Sequence, residues 1–314
     1  MATAGTHSDV AVRTRRRAKR QGSQRAHEPA IWFALPAILV YLVIVVYPSL
    51  AGAVYAFTDW SGVGGKANFV GLDNFKQIVS DDQSLGALRN TVLLTIFIVV
   101  VQNAVGLALA LGVHARIKSK YAVRAIFFAP VLLSQVVIAF LWKYLLNPDP
   151  DSGINALLGL VGLGSLQQDW LGNPSLALWS VGFTVVWQYA GYSMVIFLAG
   201  LQGVPRELEE AAAIDGAGRW MRFRKVVLPL LAPAVTINLM LSTIGGLKLF
   251  DQVFAITGGG PGYSTETLST LIYKQAFVFG NYGYSTAVAL VLAILVAAVS
   301  LVQLKVLRGR EVAL

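Results

Sequence analysis

"EEAAAIDGAGRWMRFRKVVLPLLAP", residues 209–233, sits between two long apolar runs of a 314-residue chain that is 56% hydrophobic. What joins those runs decides the fold. Pro205 suits the first turn of a helix, and Glu207, Glu209 and Glu210 follow where the N-terminal dipole favours carboxylates. Gly216 then closes that helix. Leu208, Ala211 and Ala212 stand at i, i+3 and i+4 and form a face made largely of small side chains. A second short helix follows, with Trp220, Phe223 and Val227 on one face and Arg219 and Arg222 on another. Pro229 restarts the chain as the next apolar run, at a position where a missing N–H is tolerated. The 202–228 segment therefore reads as helix, Gly turn, helix, tied to a long helix at each end. Two roles fit it: a helix pair lying on a membrane with Trp220 and Phe223 in lipid, or a knob on which another protein docks.

Working outward, the composition calls for a membrane. Charged residues make up 13% of the chain, against about 25% in soluble domains, and the mean hydropathy is +0.64. Six stretches are long enough to cross a hydrocarbon core of about 30 Å, which takes about 20 helical residues. They are 31–57, 92–113, 122–146, 175–201, 229–254 and 284–306. The expected fold is thus an all-α membrane domain of six transmembrane helices over 31–314, preceded by a basic arm, 1–30, expected to be disordered. Nineteen of the 25 Lys and Arg residues fall in that arm, in 114–124, in 202–228 and in the tail. This bias places those segments, with both termini, on the cytoplasmic face of a cell membrane. Arg15 and Arg16 resemble a twin-arginine export signal, but the apolar run that follows is too long for one, so it reads as an uncleaved first span.

Several function classes drop out. The net charge of +9 sits beside apolar runs, where lipid and topology account for it, so nucleic acid is not an expected partner. With no cysteine, thiolate catalysis and cysteine metal sites are excluded. His7, His27 and His114 form no catalytic or metal-binding set, so no metal, cofactor or catalytic residue is assigned. "TGGGPGYSTET" at 257–267 lacks the GK[ST] ending of a phosphate loop and reads as a conformational or partner-contact loop. Any ATP-driven work belongs to another subunit. "NFVGLDNFKQI" at 68–78 predicts a turn leading into a short amphipathic helix, and "NPDPDSGINALLGLVG" at 147–162 predicts two apolar turns; both read as packing elements on the outer face.

The spacing of the opening stretch carries a resemblance. Glu210, Ala211 and Ala212, three residues, Gly216, nine residues, Val226, one residue, then Leu228 and Pro229 resemble the EAA motif of permease subunits in binding-protein-dependent ABC importers. Val226 stands where the motif usually has Ile. "YPSLAGAVYAFTDW", "VGLDNF", "RAIFFAP" and "FDQVFAITGGGPGYSTET" resemble the sugar branch of that family, the MalF-like maltose permeases, and the likeness extends over nearly all of 31–306. The resemblance implies a type I importer permease fold. It also implies a helix that docks in a cleft of an ATP-binding cassette ATPase through Glu210, Ala211, Ala212, Asp215 and Gly216. The partners it implies are a second permease subunit, two ATPase subunits and an extracytoplasmic sugar-binding protein.

Polar residues inside spans are costly unless they face a cavity or a partner. Gln188 and Tyr192, at i and i+4, mark one such face, and Asn238 and Ser242 another; Gln102, Asn103, Gln135, Tyr189 and Thr243 are further polar positions. Neutral hydrogen-bonding groups beside an aromatic suit an uncharged polyol, and ordinary interhelical hydrogen bonding is the alternative. By the resemblance, Tyr192 and Ser242 match a tyrosine and a serine of the maltose-permease sugar site. Gly245 and Gly246 stand where that site carries larger side chains, which implies a roomier pocket. The expected substrate path is therefore Gln188, Tyr192, Asn238, Ser242 and Gly246. Lys248 and Asp251, at i and i+3, either pair or gate. Competing readings are a self-sufficient secondary transporter, which would call for midplane ionisable groups and inverted repeats, a glycerol 3-phosphate importer, and a membrane scaffold.

Overall fold

The computed structural model describes residues 31–62, 64, 67–114 and 119–309. The arm 1–30, Arg116, Lys118 and Arg310 lie outside the described residues, and so do the expectations made for them. The described chain is helical and divides into two units after Gly52. In the first, the helix α1 (Leu35–Tyr55, which continues into the second unit) has no buried residue.

In the second unit the other helices follow in order. They are α2 (Asp73–Ser80), α3 (Asp82–His114), α4 (Lys120–Leu132), α5 (Gln135–Leu145), α6 (Gly153–Leu160) and α7 (Pro174–Gln202). After these come α8 (Arg206–Ile214), α9 (Arg219–Leu230), α10 (Ala232–Leu247), α11 (Asp251–Ile256), α12 (Leu268–Tyr273) and α13 (Tyr282–Arg308). Among the described residues, α1, α3, α7 and α13 are the single helices long and apolar enough to cross a membrane, and α4 with α5 and α9 with α10 bring the number to six if each bent pair is one span.

The structure corrects three of the six expected spans. The second begins at Asp82 rather than Val92, because its polar first turns find protein partners. Ser84 Oγ lies 2.6 Å from Tyr284 OH, and Thr91 Oγ1 accepts the Leu268 N–H at 2.9 Å. The third is bent by 101° between α4 and α5, just past Pro130, where a missing N–H and the restricted residue before it interrupt the ladder. In the fifth, Pro229 lies inside α9, which carries a π-helical stretch at Phe223–Val227. The 70° bend comes instead before α10, with Pro233 in its first turn. Phe254 belongs to α11, beyond the end of α10.

α7 is the central element, and α3 runs parallel to it. Gly182 faces Leu94, and Gly106 faces Ser193, each so closely that a Cβ would clash. Gly191 sits against the backbone of α4, where a Cβ would lie 1.8 Å from the Phe127 carbonyl oxygen. α10 runs antiparallel to both, from Leu231 beside Gly200 to Gly246 beside Thr95. Residues 203–218 thus lie at one end of the bundle, and 67–81, 146–173 and 248–281 at the other. A core of Val113, Phe197, Leu201, Val204 and Leu231 seals the first end.

Candidate functional site

Between Leu247 and Asp251 the chain leaves helical geometry, and this break opens a cavity of about 440 Å³ against α3, α5 and α7. That volume falls within the roughly 300–1,000 Å³ of small-ligand pockets. Tyr192, Asn238, Ser242 and Gly246 line it together, along with Gln102, Gln135 and Tyr189. Gln188 does not line it. It is 1% exposed and stands behind the wall, where its Oε1 accepts from Gln252 Nε2 at 2.9 Å. Thr243 faces away, into a wider apolar groove of about 760 Å³ between α3, α10 and α13.

The amide groups of the lining share one orientation. Gln102 Nε2 donates to Ser193 Oγ (2.9 Å), Gln135 Nε2 to Tyr189 OH (3.1 Å), and Asn238 Nδ2 to the Ser193 carbonyl (3.3 Å). Ser242 Oγ accepts from Asn103 Nδ2 at 2.9 Å and donates back to the Asn238 carbonyl at 2.8 Å. Each of these side-chain amides spends one of its two N–H groups inside the wall, and Gln252 Oε1 is buried without a protein partner. What remains for a ligand is the second N–H and the carbonyl of the lining amides, the Tyr192 ring and hydroxyl, and the charges of Lys248 and Asp251. Those two line the cavity and form no ion pair with each other, so the pairing alternative does not hold.

The two glycines differ. Gly245 has open space where a side chain would be, whereas a Cβ on Gly246 would lie 3.0 Å from Thr95 Cγ2. Only Gly245 adds room to the cavity; Gly246 brings α10 against α3. Ser193 and Gln252 are wall residues that sequence reasoning missed. Ser193 could have been found as the polar neighbour of Tyr192, but nothing in the sequence places Gln252 beside Gln188.

At the opposite end, α8 starts after Pro205 and ends at Ile214, with Glu207 and Glu209 in its first turn. Gly216 has φ +81°, the Gly216 N–H reaches the Ala213 carbonyl at 3.1 Å, and the Ala217 N–H reaches Ala212 at 2.9 Å. This is a left-handed helix stop of the kind glycine favours. Glu210, Ala211, Asp215 and Gly216 are exposed and Ala212 is half-buried. Ile214 is 86% and Trp220 71% exposed, so the segment presents apolar as well as charged groups. Among the described residues, no side chain of 203–231 makes a hydrogen bond.

The 257–267 loop is knitted internally. Glu266 is fully buried and pairs with Lys274, and Thr257 Oγ1 lies 2.7 Å from Thr265 Oγ1. Asn90 Nδ2 ties the loop to α3 through the Glu266 carbonyl at 3.0 Å.

Comparison with known proteins bears on this arrangement. Residues 102–310 match the family model described as "Binding-protein-dependent transport system inner membrane component". The chain is 36% identical over 280 residues to the multiple sugar-binding transport system permease protein MsmF of Streptococcus mutans, covering 89% of this chain and 95% of the relative. It is 33% identical to the probable starch degradation products transport system permease protein AmyD of Thermoanaerobacterium thermosulfurigenes, covering 90% and 96% of the two chains. A crystal structure of a bacterial ABC transporter involved in import of the acidic polysaccharide alginate shares the fold, with TM-score 0.77 at 23% identity over 95% of this chain and 99% of the other. The transport family is not catalytic in itself, and its members are multi-pass inner membrane proteins. The chain belongs to the family of binding-protein-dependent ABC importer permeases, close to its sugar permeases.

Proposed function

We propose that this permease carries an uncharged oligosaccharide, handed over by an extracytoplasmic binding protein, through the cavity at the α10–α11 break. The observation that carries the reading is the set of neutral side-chain amides beside Tyr192 in one cavity. Such a surface accepts hydrogen bonds from hydroxyl groups, while the aromatic face packs a sugar C–H face. The names of MsmF and AmyD, which refer to sugars and starch degradation products, agree with that class. Tyr192, Asn238, Ser242 and Gly246 form the path in this reading, and Gln188 positions Gln252 from behind.

The 202–228 segment is the coupling element. Glu210, Ala211, Ala212, Asp215 and Gly216 dock in a cleft of an ATP-binding cassette ATPase, two copies of which drive this chain and a second permease subunit. The segment's exposed side chains lack partners in the described chain, which supports a surface kept for another protein. The basic residues of 203–225 support a cytoplasmic location for this end, and the positive-inside bias of the arm and tail supports the same side for both termini.

Reconstitution of the permease pair with ATPase and binding protein tests the reading, with a panel of neutral, acidic and phosphorylated sugars screened for stimulated ATP hydrolysis. Neutral oligosaccharides are expected to stimulate most. Stimulation by phosphorylated or acidic sugars alone would sink the proposed class, and uptake by this chain without an ATPase would point to a secondary transporter.

A further inference from the structure

We infer that residues 153–166 lie in the lipid leaflet at the end of the bundle opposite 203–218, as a wedge at the end of the crossing made by the bent α4–α5 pair. The inference rests only on the chain being a multi-pass membrane protein. At about 1.5 Å per residue α4 is about 20 Å long and α5 about 16 Å. With the 101° bend the two helices alone reach about 23 Å, and the extended Leu133 and Ser134 between them bring the pair at most to about the 30 Å of a hydrocarbon core. The chain beyond Leu145 therefore starts no higher than the membrane boundary.

A second measure gives the same level. α7 has 29 residues, about 43 Å, so it overshoots the core by about 6 Å at each end when centred. Ser180, six residues into α7 and about 9 Å from its start, donates its hydroxyl to the Trp170 carbonyl at 2.9 Å. Trp170 Nε1 in turn donates to Asn155 Oδ1 at 2.8 Å. Asn155, on α6 and 1% exposed, is thereby held alongside α7 rather than above it.

The segment is rigid and suited to lipid. Asn155 Nδ2 donates to the backbone carbonyls of Pro148 (3.1 Å) and Gln168 (3.0 Å), and Gly153 seats so close to Leu145 that a Cβ would lie 2.2 Å from its carbonyl oxygen. From Ser152 to Gln168 there is no charged side chain, while Asp149, Asp151 and Asp169 fence the two ends. Leu157, Leu160 and Val161, at i, i+3 and i+4, are 60%, 83% and 68% exposed. They continue the exposed apolar surface of α5, where Phe140 and Tyr144 are 69% and 67% exposed. The segment packs on the chain through Ile154 and Asn155, as a packing element would, while these three side chains face outward. A docking site for a soluble protein would carry a polar rim among the contacts; this surface is uncharged and continuous with a membrane-spanning helix.

The chain has no cysteine, so single substitutions label cleanly. Leu160→Cys and Asp151→Cys, each carrying a nitroxide in the full chain reconstituted in phosphatidylcholine–phosphatidylglycerol vesicles, are read by collision with oxygen and with a water-soluble nickel chelate. The label at 160 is expected to favour oxygen severalfold, and the label at 151 the nickel chelate. Adding the binding protein should leave the label at 160 unchanged. Equal nickel accessibility at both positions would overturn the inference. So would shielding at 160 that appears only with the binding protein, which would make the surface a protein dock.

Discussion

Gln102, Gln135, Asn238 and Gln252 at the cavity each direct an amide N–H into the protein, whereas the carboxylates of Glu210 and Asp215 and the guanidinium of Arg219 at the far end are exposed to solvent. The cavity wall is made of residues from five helices, and its geometry depends on all of them. The 203–218 segment is made by one run of chain, a cap and a glycine stop, with little holding its outer side chains. A recognition surface for a small polyol has to be preorganised, because each unpaired polar group in a low-dielectric site costs about 1–3 kcal/mol. A surface kept for a protein partner is paired by that partner instead, and needs only a fixed backbone.

Substitutions separate the two kinds of construction. The largest effect is expected from Gly191→Val, whose Cβ would fall 1.8 Å from the Phe127 carbonyl oxygen. Overpacking of about 1–3 kcal/mol or more at this backbone contact should remove most folded permease, read as loss of monodisperse protein after membrane extraction. Unchanged yield would mean that α4 and α7 can part without damage.

Gly216→Val comes next. No atom lies within 4 Å of the added Cβ, so the whole penalty is the φ of +81°, which β-branched residues rarely adopt. Membrane insertion and the cavity should survive while transport falls at least tenfold and ATPase co-purification weakens. Normal uptake would refute the coupling role.

Gln252→Leu should be milder. It strips the donor from the buried Gln188 Oε1, a loss of about 0.6–2 kcal/mol for an intramembrane hydrogen bond. A modest drop in thermal midpoint together with weaker sugar-stimulated ATP hydrolysis is expected. A drop in stability alone would make Gln252 structural only.

The smallest effect lies outside the helices. Asp59 accepts hydrogen bonds from the side chain and then the backbone N–H of Asn68, which hold its carboxyl below the usual range. Because the native pKa is depressed, the clasp's contribution is fully present above the unfolded value of about 3.9. It fades as pH falls through the lowered native value. Amide exchange at Asn68 should speed up over that acid window and not between pH 6 and 8; a change in the neutral range would assign the effect to another group.

Much of the 203–218 segment was legible from local chemistry. The acidic first turn, the small face and the Gly216 stop are features of consecutive residues, and the structure reproduces them within a residue or so. The cavity was half legible: Tyr192, Asn238 and Ser242 were found as polar groups where lipid would not tolerate them. The failure at Gln188 is instructive, because i, i+4 spacing with Tyr192 shares a face without deciding what that face meets. Gln252, arriving from beyond the helix break, turned Gln188 into a wall support. The same break left Lys248 and Asp251 apart despite their favourable spacing.

Hydropathy by itself determined that the chain is helical and membrane-spanning, and roughly where its crossings lie, since each needs about 20 apolar residues whatever surrounds it. It also determined the positive end of the bundle and the helix–turn–helix at 206–222, which depend on neighbours in sequence. Only the tertiary structure decided that two crossings are bent, by 101° and 70°, and which polar side chains share a cavity. It alone set the level of the 153–166 segment in the bundle. Those outcomes depend on which helix packs against which, a contest among distant residues that local propensity and periodicity do not encode.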